Sequence, residues 1–159
     1  MNYLLALTIG IPTLLQGYIV GCLAMMLGIA KWPHFDGPVL CTYWRQWVEK
    51  RWPYTTTIGA WMGKAIWTDE RTIFHENIHL QQYVDLNALG AVLGACLIPW
   101  IGWQGFLIVW GTSGAPWILP NFVTAAVRHK RKHVSWMDAV YMGSTHEQAA
   151  YAITARTYP

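Results

Sequence analysis

The chain is organised around residues 72–83, which read Thr-Ile-Phe-His-Glu-Asn-Ile-His-Leu-Gln-Gln-Tyr. His75 and His79 are four residues apart, so a helix places their imidazoles one turn apart on the same face. Two neutral imidazoles in this arrangement can bind one Zn²⁺, and a glutamate beside the first, here Glu76, can activate a water on the metal. The stretch therefore predicts a metal-binding helix.

The composition indicates a membrane protein of one domain. The 159 residues are 54% hydrophobic and 12% charged, about half the charge of an ordinary soluble domain. The three cysteines are odd in number and far apart, so a disulfide framework or a cysteine zinc site is not expected. Aromatic and basic residues mix in residues 43–52, but no nucleic-acid-binding signature accompanies them. We therefore expect a lipid bilayer and no nucleic acid as a partner.

The N-terminal segment is almost unbroken apolar sequence. Residues 3–30 carry no charged side chain, and about 20 such residues are enough to cross a bilayer as a helix. The alternative is a cleaved signal peptide, but the start lacks Lys and Arg and the apolar run continues past Cys22. We expect residues 1–32 to form a transmembrane helix and residues 33–159 to form the second domain.

A second uncharged region covers residues 86–120, with Pro99 near its middle. It is long enough for one span, or for a membrane hairpin that turns near Pro99. Basic residues flank it on both sides, with a cluster at 128–132 after it, so both flanks are expected to be cytoplasmic. This favours the hairpin. It predicts an integral protein of the cell (inner) membrane whose metal site faces the cytoplasm.

The region between the two apolar blocks supplies the rest of the domain. Trp44, Trp47 and Val48 lie at helical spacing and predict an amphipathic helix over residues 39–50. Residues 55–67 are the best strand candidate because they begin with a β-branched run. Thr68 and Asp69 then provide helix-capping side chains before the histidine helix.

A catalytic zinc site normally has three protein ligands, so a third ligand is needed. The metzincin pattern is excluded because Gln82 and Asp85 occupy the positions where it requires Gly and His. The downstream candidates are His129, His133, His146 and Glu147. Glu147 is preferred because the small residues that follow it permit close packing of its helix against the histidine helix.

The motif pair H-E-x-x-H and, on a distant helix, E-x-x-A-Y (residues 147–151) resembles the gluzincin zinc metallopeptidases, especially their small membrane-associated members. The similarity covers residues 55–83 and 145–152. It implies that His75, His79 and Glu147 bind zinc and that Glu76 is the general base. Tyr151, Tyr141 or His146 would donate a hydrogen bond to the oxyanion, and Tyr151 is preferred. Substrate backbone would add to the 55–67 strand.

The expected fold is mainly α and membrane-associated. It combines an N-terminal transmembrane helix, a membrane hairpin and a minimal zincin-like core of active-site helix, short β-hairpin or edge strand, and glutamate helix. The expected function is a membrane-bound zinc metallopeptidase that hydrolyses peptide bonds in peptides or membrane proteins. Two alternatives stay open: a non-enzymatic membrane structural or assembly protein with a zincin-like fold, and a membrane-disrupting lysis factor. The sequence does not set the substrate or the oligomeric state.

Overall fold

The fold was analysed in a computed structural model that describes residues 10–113 and 145–157, together with the single positions 8, 123, 126, 127 and 139. It is mainly helical with a small sheet, as the sequence predicted. In chain order the elements are α1 (Ile11–Met26), β1 (Ala30–Asp36), β2 (Val39–Trp44), α2 (Gln46–Glu49), β3 (Thr56–Ile58), β4 (Trp61–Lys64), α3 (Glu70–Thr112) and α4 (Thr145–Thr157).

The sheet has four strands in the order β1-β2-β4-β3. Strands β1 and β2 form an antiparallel hairpin, β2 pairs with β4 in parallel, and β3 pairs with β4 antiparallel at the outer edge. The strand predicted over residues 55–67 is thus two short strands. The chain reverses at Gly59, whose φ of +55° suits glycine and whose missing Cβ leaves room for the Thr13 carbonyl.

The prediction of an amphipathic helix over residues 39–50 is wrong for most of this segment. Residues Val39–Trp44 form strand β2, and only Gln46–Glu49 are helical. Strand β2 is central, and five of its six residues are buried. Pairing on both edges and burial against helices outweigh the helical spacing of Trp44 and Trp47.

Helix α1 packs on this sheet through glycines. A Cβ added at Gly17 would lie closer than 3.0 Å to the backbone of Ala60 and Trp61, and one added at Gly21 would overlap the side chain of Leu40. On the other face of the sheet, Cys41 and Met62 pack with Leu80 of α3. The sheet is therefore covered by α1 on one face and by the beginning of α3 on the other.

This packing corrects the prediction for the N-terminal segment. The helix expected over residues 3–30 ends at Met26, and residue 30 already begins β1. With 16 residues, α1 is about 24 Å long and lies beside the sheet, so residues 11–32 belong to the same folded unit as residues 33–113. Residues 1–7 and 9 lie outside the described part of the chain. The side of α1 that faces away from the sheet remains apolar and exposed, at Ile11, Leu15, Ile19, Leu23 and Met26.

Helix α3 reverses direction at Gly102. Its backbone there has φ +65° and ψ −178°, a conformation outside the helical region that glycine adopts most readily. The two arms then pack side by side: Asn87 donates to the Ser113 hydroxyl at 2.8 Å, and a Cβ at Gly94 would overlap Phe106. We call the uncharged part of the two arms, residues 86–113, the apolar hairpin. The sequence predicted this turn near Pro99, and it lies three residues later. Residues 114–120, the end of the predicted membrane hairpin, lie outside the described residues.

By length and composition, α3 is the one helix in the described residues that could cross a membrane. Its second half is apolar and largely exposed. The exposed large side chains of the apolar hairpin are Leu89, Val92, Leu93, Leu97, Trp100, Ile101, Trp103, Leu107 and Ile108.

Candidate metal centre

The start of helix α3 determines where its two histidines, His75 and His79, lie. Asp69 is the N-cap, and its carboxylate accepts a hydrogen bond of 2.7 Å from the backbone N–H of Thr72. The Thr72 hydroxyl and this N–H lower the pKa of Asp69. The capping chemistry predicted at Thr68 and Asp69 is therefore present at Asp69. The helix that begins there places His75 and His79 on one buried face, one turn apart.

Helix α4 brings the third group to this face. Glu147, in its first turn, is buried, and its Oε2 lies 3.1 Å from Nε2 of His75 and 3.3 Å from Nε2 of His79. The two histidine Nε2 atoms are 3.1 Å apart. The structure therefore brings together the three residues that the sequence proposed as ligands, although they are separated by up to 72 positions in the chain.

The triangle formed by these three atoms has the dimensions of a tetrahedral zinc site. With metal–ligand distances of about 2.0–2.1 Å, neighbouring ligand atoms around a tetrahedral Zn²⁺ are about 3.3 Å apart. The observed edges of 3.1, 3.1 and 3.3 Å match that separation. A metal ion therefore fits against one face of the triangle, and the described residues supply three ligands to it.

Hydrogen bonds on the outer side of the rings orient the histidines for metal binding. Nδ1 of His79 lies 3.0 Å from Oε1 of Gln82, an acceptor, so Nδ1 carries the proton and Nε2 keeps its lone pair. Nδ1 of His75 lies 3.4 Å from the hydroxyl of Thr154, whose own proton goes to the Ala150 carbonyl at 2.8 Å. Both Nε2 lone pairs therefore point toward the Glu147 carboxylate.

Three converging acceptors repel one another unless a proton or a metal ion lies between them. In the metal-free protein, a proton lies between the acceptor atoms. Burial alone would raise the pKa of Glu147, but the hydrogen bonds and positive charge of His75 and His79 outweigh it and lower that pKa to about 2. Burial alone would lower the pKa of His79, but Glu147 outweighs it and the pKa is raised. The centre thus attracts a cation.

The side chain of Glu76 is buried beside the candidate metal centre. It is 6% exposed, and burial raises its pKa above the ordinary value, opposed by the charges of His79 and His75. The side chain also lines a cleft of about 250 Å³ that opens beside His75. A carboxyl with a raised pKa in a cleft has the properties of a general acid–base group.

Tyr151 lies on the same cleft, one turn after Glu147. Its ring centroid is 4.5 Å from that of His75, and it is 47% exposed. Burial raises the pKa of its hydroxyl, and the negative charges of Glu147 and Glu76 raise it further, so the proton stays on at neutral pH. Tyr141 and the side chain of His146, the other oxyanion candidates, lie outside the described residues, as do His129 and His133.

Sequence reasoning missed two residues of the site. Thr154 supports His75 and follows Glu147 by seven positions, so the spacing Glu147, Tyr151, Thr154 marks one face of α4. Arg71 lines the cleft and precedes His75 by four positions, on the same face of α3. Both could have been found from helical spacing once the two metal-binding faces were known.

The described residues thus contain a buried two-histidine, one-glutamate group that could hold a metal ion, at the junction of two helices and beside an open cleft. Comparison with protein families, with curated proteins and with solved structures finds no match. The function must therefore be argued from the site.

Proposed function

We propose that the protein is a membrane-bound zinc metallopeptidase. The observation that carries the proposal is the triangle of acceptor atoms from His75, His79 and Glu147, with edges of 3.1–3.3 Å and a buried glutamate, Glu76, next to the first histidine. Nitrogen and carboxylate donors in a tetrahedral arrangement are the preferred surroundings of Zn²⁺.

The number of ligands favours catalysis over a purely structural role. Structural zinc sites are almost always closed by four protein ligands, whereas catalytic sites use three and keep one position open. The metal-binding group found in the described residues has three members, and the cleft reaches His75 and Glu76 from outside. The described residues of the site therefore fit a catalytic zinc site better than a closed structural one.

The chemistry follows from where the side chains lie. Zinc held here supplies Lewis acidity, which polarises a peptide carbonyl and makes water more acidic. Glu76 takes a proton from the water that adds to the carbonyl carbon. Glu76 then gives this proton to the leaving nitrogen as the C–N bond breaks, which yields a carboxylic acid and an amine. The Tyr151 hydroxyl donates a hydrogen bond to the developing oxyanion.

The edge strand β3 provides a place for the substrate backbone. It ends the sheet at Thr56–Ile58, and α3 packs close to it. An extended peptide that pairs with its free edge would run past Glu76 and the metal centre. Peptides and extended segments of membrane proteins are the substrates that suit this arrangement.

The apolar hairpin supplies the membrane attachment. Residues 86–113 carry no charge and expose large apolar side chains along both arms, while Trp100 and Trp103 lie near the tip. Such a surface is stable in lipid, and its reversal at Gly102 returns the chain to the side from which it left. Basic residues on both flanks favour the cytoplasmic face of the cell (inner) membrane for this side. A reporter fused after Pro159 should then be cytoplasmic, and its appearance on the outer face would contradict this topology.

Zinc analysis tests the proposal directly. Purified wild-type protein should contain about one zinc ion per chain. The binding free energy of zinc is about 10–16 kcal/mol, and four ligands share it, so each contributes roughly 3 kcal/mol. Glu147→Ala should therefore bind zinc about 100-fold more weakly. Glu76→Gln should retain zinc and lose peptide cleavage. Wild-type protein without metal affinity would remove the enzyme proposal, and full zinc affinity in Glu147→Ala would remove the third ligand.

A further inference from the structure

The metal centre and the apolar hairpin lie on one uninterrupted stretch of helix. Helix α3 has regular helical geometry from Glu70 until Gly102, the residue with non-helical backbone angles. His79 precedes the first residue of the hairpin, Leu86, by seven positions, and His75 precedes it by eleven. At 1.5 Å per residue these separations are about 10 and 16 Å along the helix axis.

The junction between the two parts is fixed by buried polar contacts. Asn87 is fully buried, accepts hydrogen bonds from the backbone N–H (3.0 Å) and the hydroxyl of Thr13 in α1, and donates to Ser113. The amide of Gln16 donates to the Gly111 carbonyl at 3.1 Å. These contacts attach the base of the apolar hairpin to α1 and hence to the sheet, and they hold the hairpin in one orientation relative to the metal centre.

The cleft opens on the side of the metal centre that is farther from the hairpin. Its lining includes Arg71 and Thr72, which precede His75 on α3, and Tyr54 and Trp67, which precede α3 altogether. No lining residue follows Glu76 on α3. A substrate that enters this cleft therefore lies at the height of His75 or above it.

We infer that the substrate is the membrane-proximal segment of another membrane protein, and that the rigid stretch from His75 to Leu86 sets a minimum spacing between the membrane boundary and the bond that is cleaved. This inference rests on the proposed function and on the placement of the apolar hairpin in lipid. An extended chain advances about 3.3 Å per residue, so the height of about 16 Å at His75 requires at least about five residues. A helix tilt of about 20° changes this height by less than a tenth.

Reconstituted protein and a series of tethered substrates test the spacing. The enzyme is placed in phosphatidylethanolamine–phosphatidylglycerol vesicles with peptides that contain a Leu-rich membrane helix, a Gly-Ser spacer of 0 to 12 residues and a common cleavable segment. The segment is the decapeptide that zinc-loaded enzyme cleaves fastest from a degenerate library. Substrates with fewer than five residues between the membrane helix and the cleaved bond should be cleaved at least tenfold more slowly than those with eight. The free decapeptide at the same total concentration should also be cleaved more slowly, because tethering raises the effective concentration.

Glu76→Gln in the same vesicles is the control, and it should cleave none of the substrates. If the free decapeptide is cleaved but the rate does not depend on spacer length, the inference fails and the proposed function stands. If the free decapeptide is cleaved as fast as the best tethered substrate, a soluble peptide is the substrate and the inference again fails. If zinc-loaded enzyme cleaves no library peptide and no tethered substrate, the proposed function itself fails.

Discussion

Replacement of Gly17 by alanine tests the contact that distinguishes this fold from a simple membrane-anchored domain. In the structure α1 lies on the sheet, and a Cβ at Gly17 would approach the backbone of Ala60 and Trp61 closer than 3.0 Å. A lipid-surrounded helix would tolerate this methyl group on every face. The packed helix must instead move away from β4.

The expected change in stability combines two opposing effects. Alanine in a helix interior is favoured over glycine by about 1 kcal/mol. Overpacking against well-ordered atoms costs about 1–3 kcal/mol, and the upper value applies here because the obstructing atoms are backbone. Gly17→Ala should therefore lower the free energy of unfolding by about 2 kcal/mol. Gly111→Ala is the matched control: no atom lies within 4 Å of its added Cβ, so it should raise stability by up to about 1 kcal/mol.

Thermal unfolding of both variants in the same detergent measures the difference. A change of 1 kcal/mol shifts Tm by about 2–4 °C in a chain of this size, so the two variants should differ by about 6–12 °C. Metal content should also fall faster on heating in Gly17→Ala, since α3 covers the other face of the same sheet. Equal Tm values for Gly17→Ala and Gly111→Ala would refute the packing of α1 on the sheet.

Three further predictions concern the supports of the metal centre. Thr154→Val removes the acceptor for Nδ1 of His75 and should weaken zinc binding about 10–100-fold in a competition titration, while Thr154→Ser should restore it. Asn87→Leu leaves buried donors of Thr13 unpaired and should lower the free energy of unfolding by about 2–5 kcal/mol in denaturant titrations. The third concerns pH. Because folding lowers the pKa of Glu147, its carboxylate stabilises the metal-free protein above about pH 4.5, and this stabilisation is lost toward pH 2. Because folding raises the pKa of His79, its protonated ring stabilises the metal-free protein below about pH 6.5, and this stabilisation is lost at higher pH. Metal-free Tm should peak between these values, and the Tm gain on adding zinc should be larger at pH 8 than at pH 6.

The metal-binding residues could be predicted from the sequence because their pattern is local. A separation of four residues is enough to place His75 and His79 together on a helix, whatever the rest of the chain does. Asp69 marks the start of that helix for the same reason. Glu147 required the resemblance to a second motif, since nothing in the residues between 79 and 147 reveals which distant carboxylate returns to the histidines.

Strand β2 could not be predicted because its conformation depends on distant partners. Its residues Leu40 and Cys41 pair with Trp61 and Met62 of β4, which come 21 positions later, and α1 covers one of its faces. Local spacing of Trp44 and Trp47 instead suggested a helix. A short apolar run is compatible with either conformation until burial and pairing on both edges select the strand.

The turn of the apolar hairpin shows why a proline signal was misleading. Pro99 removes one backbone donor and crowds the preceding turn, so it was the natural place to divide the apolar region. In the structure Pro99 remains inside the helix, and the reversal occurs three residues later at Gly102. Only a residue without a Cβ adopts φ +65° with ψ −178° easily, so the reversal occurs at Gly102. The glycine, and not the proline, therefore determines where the chain turns back and how long the two arms of the apolar hairpin are.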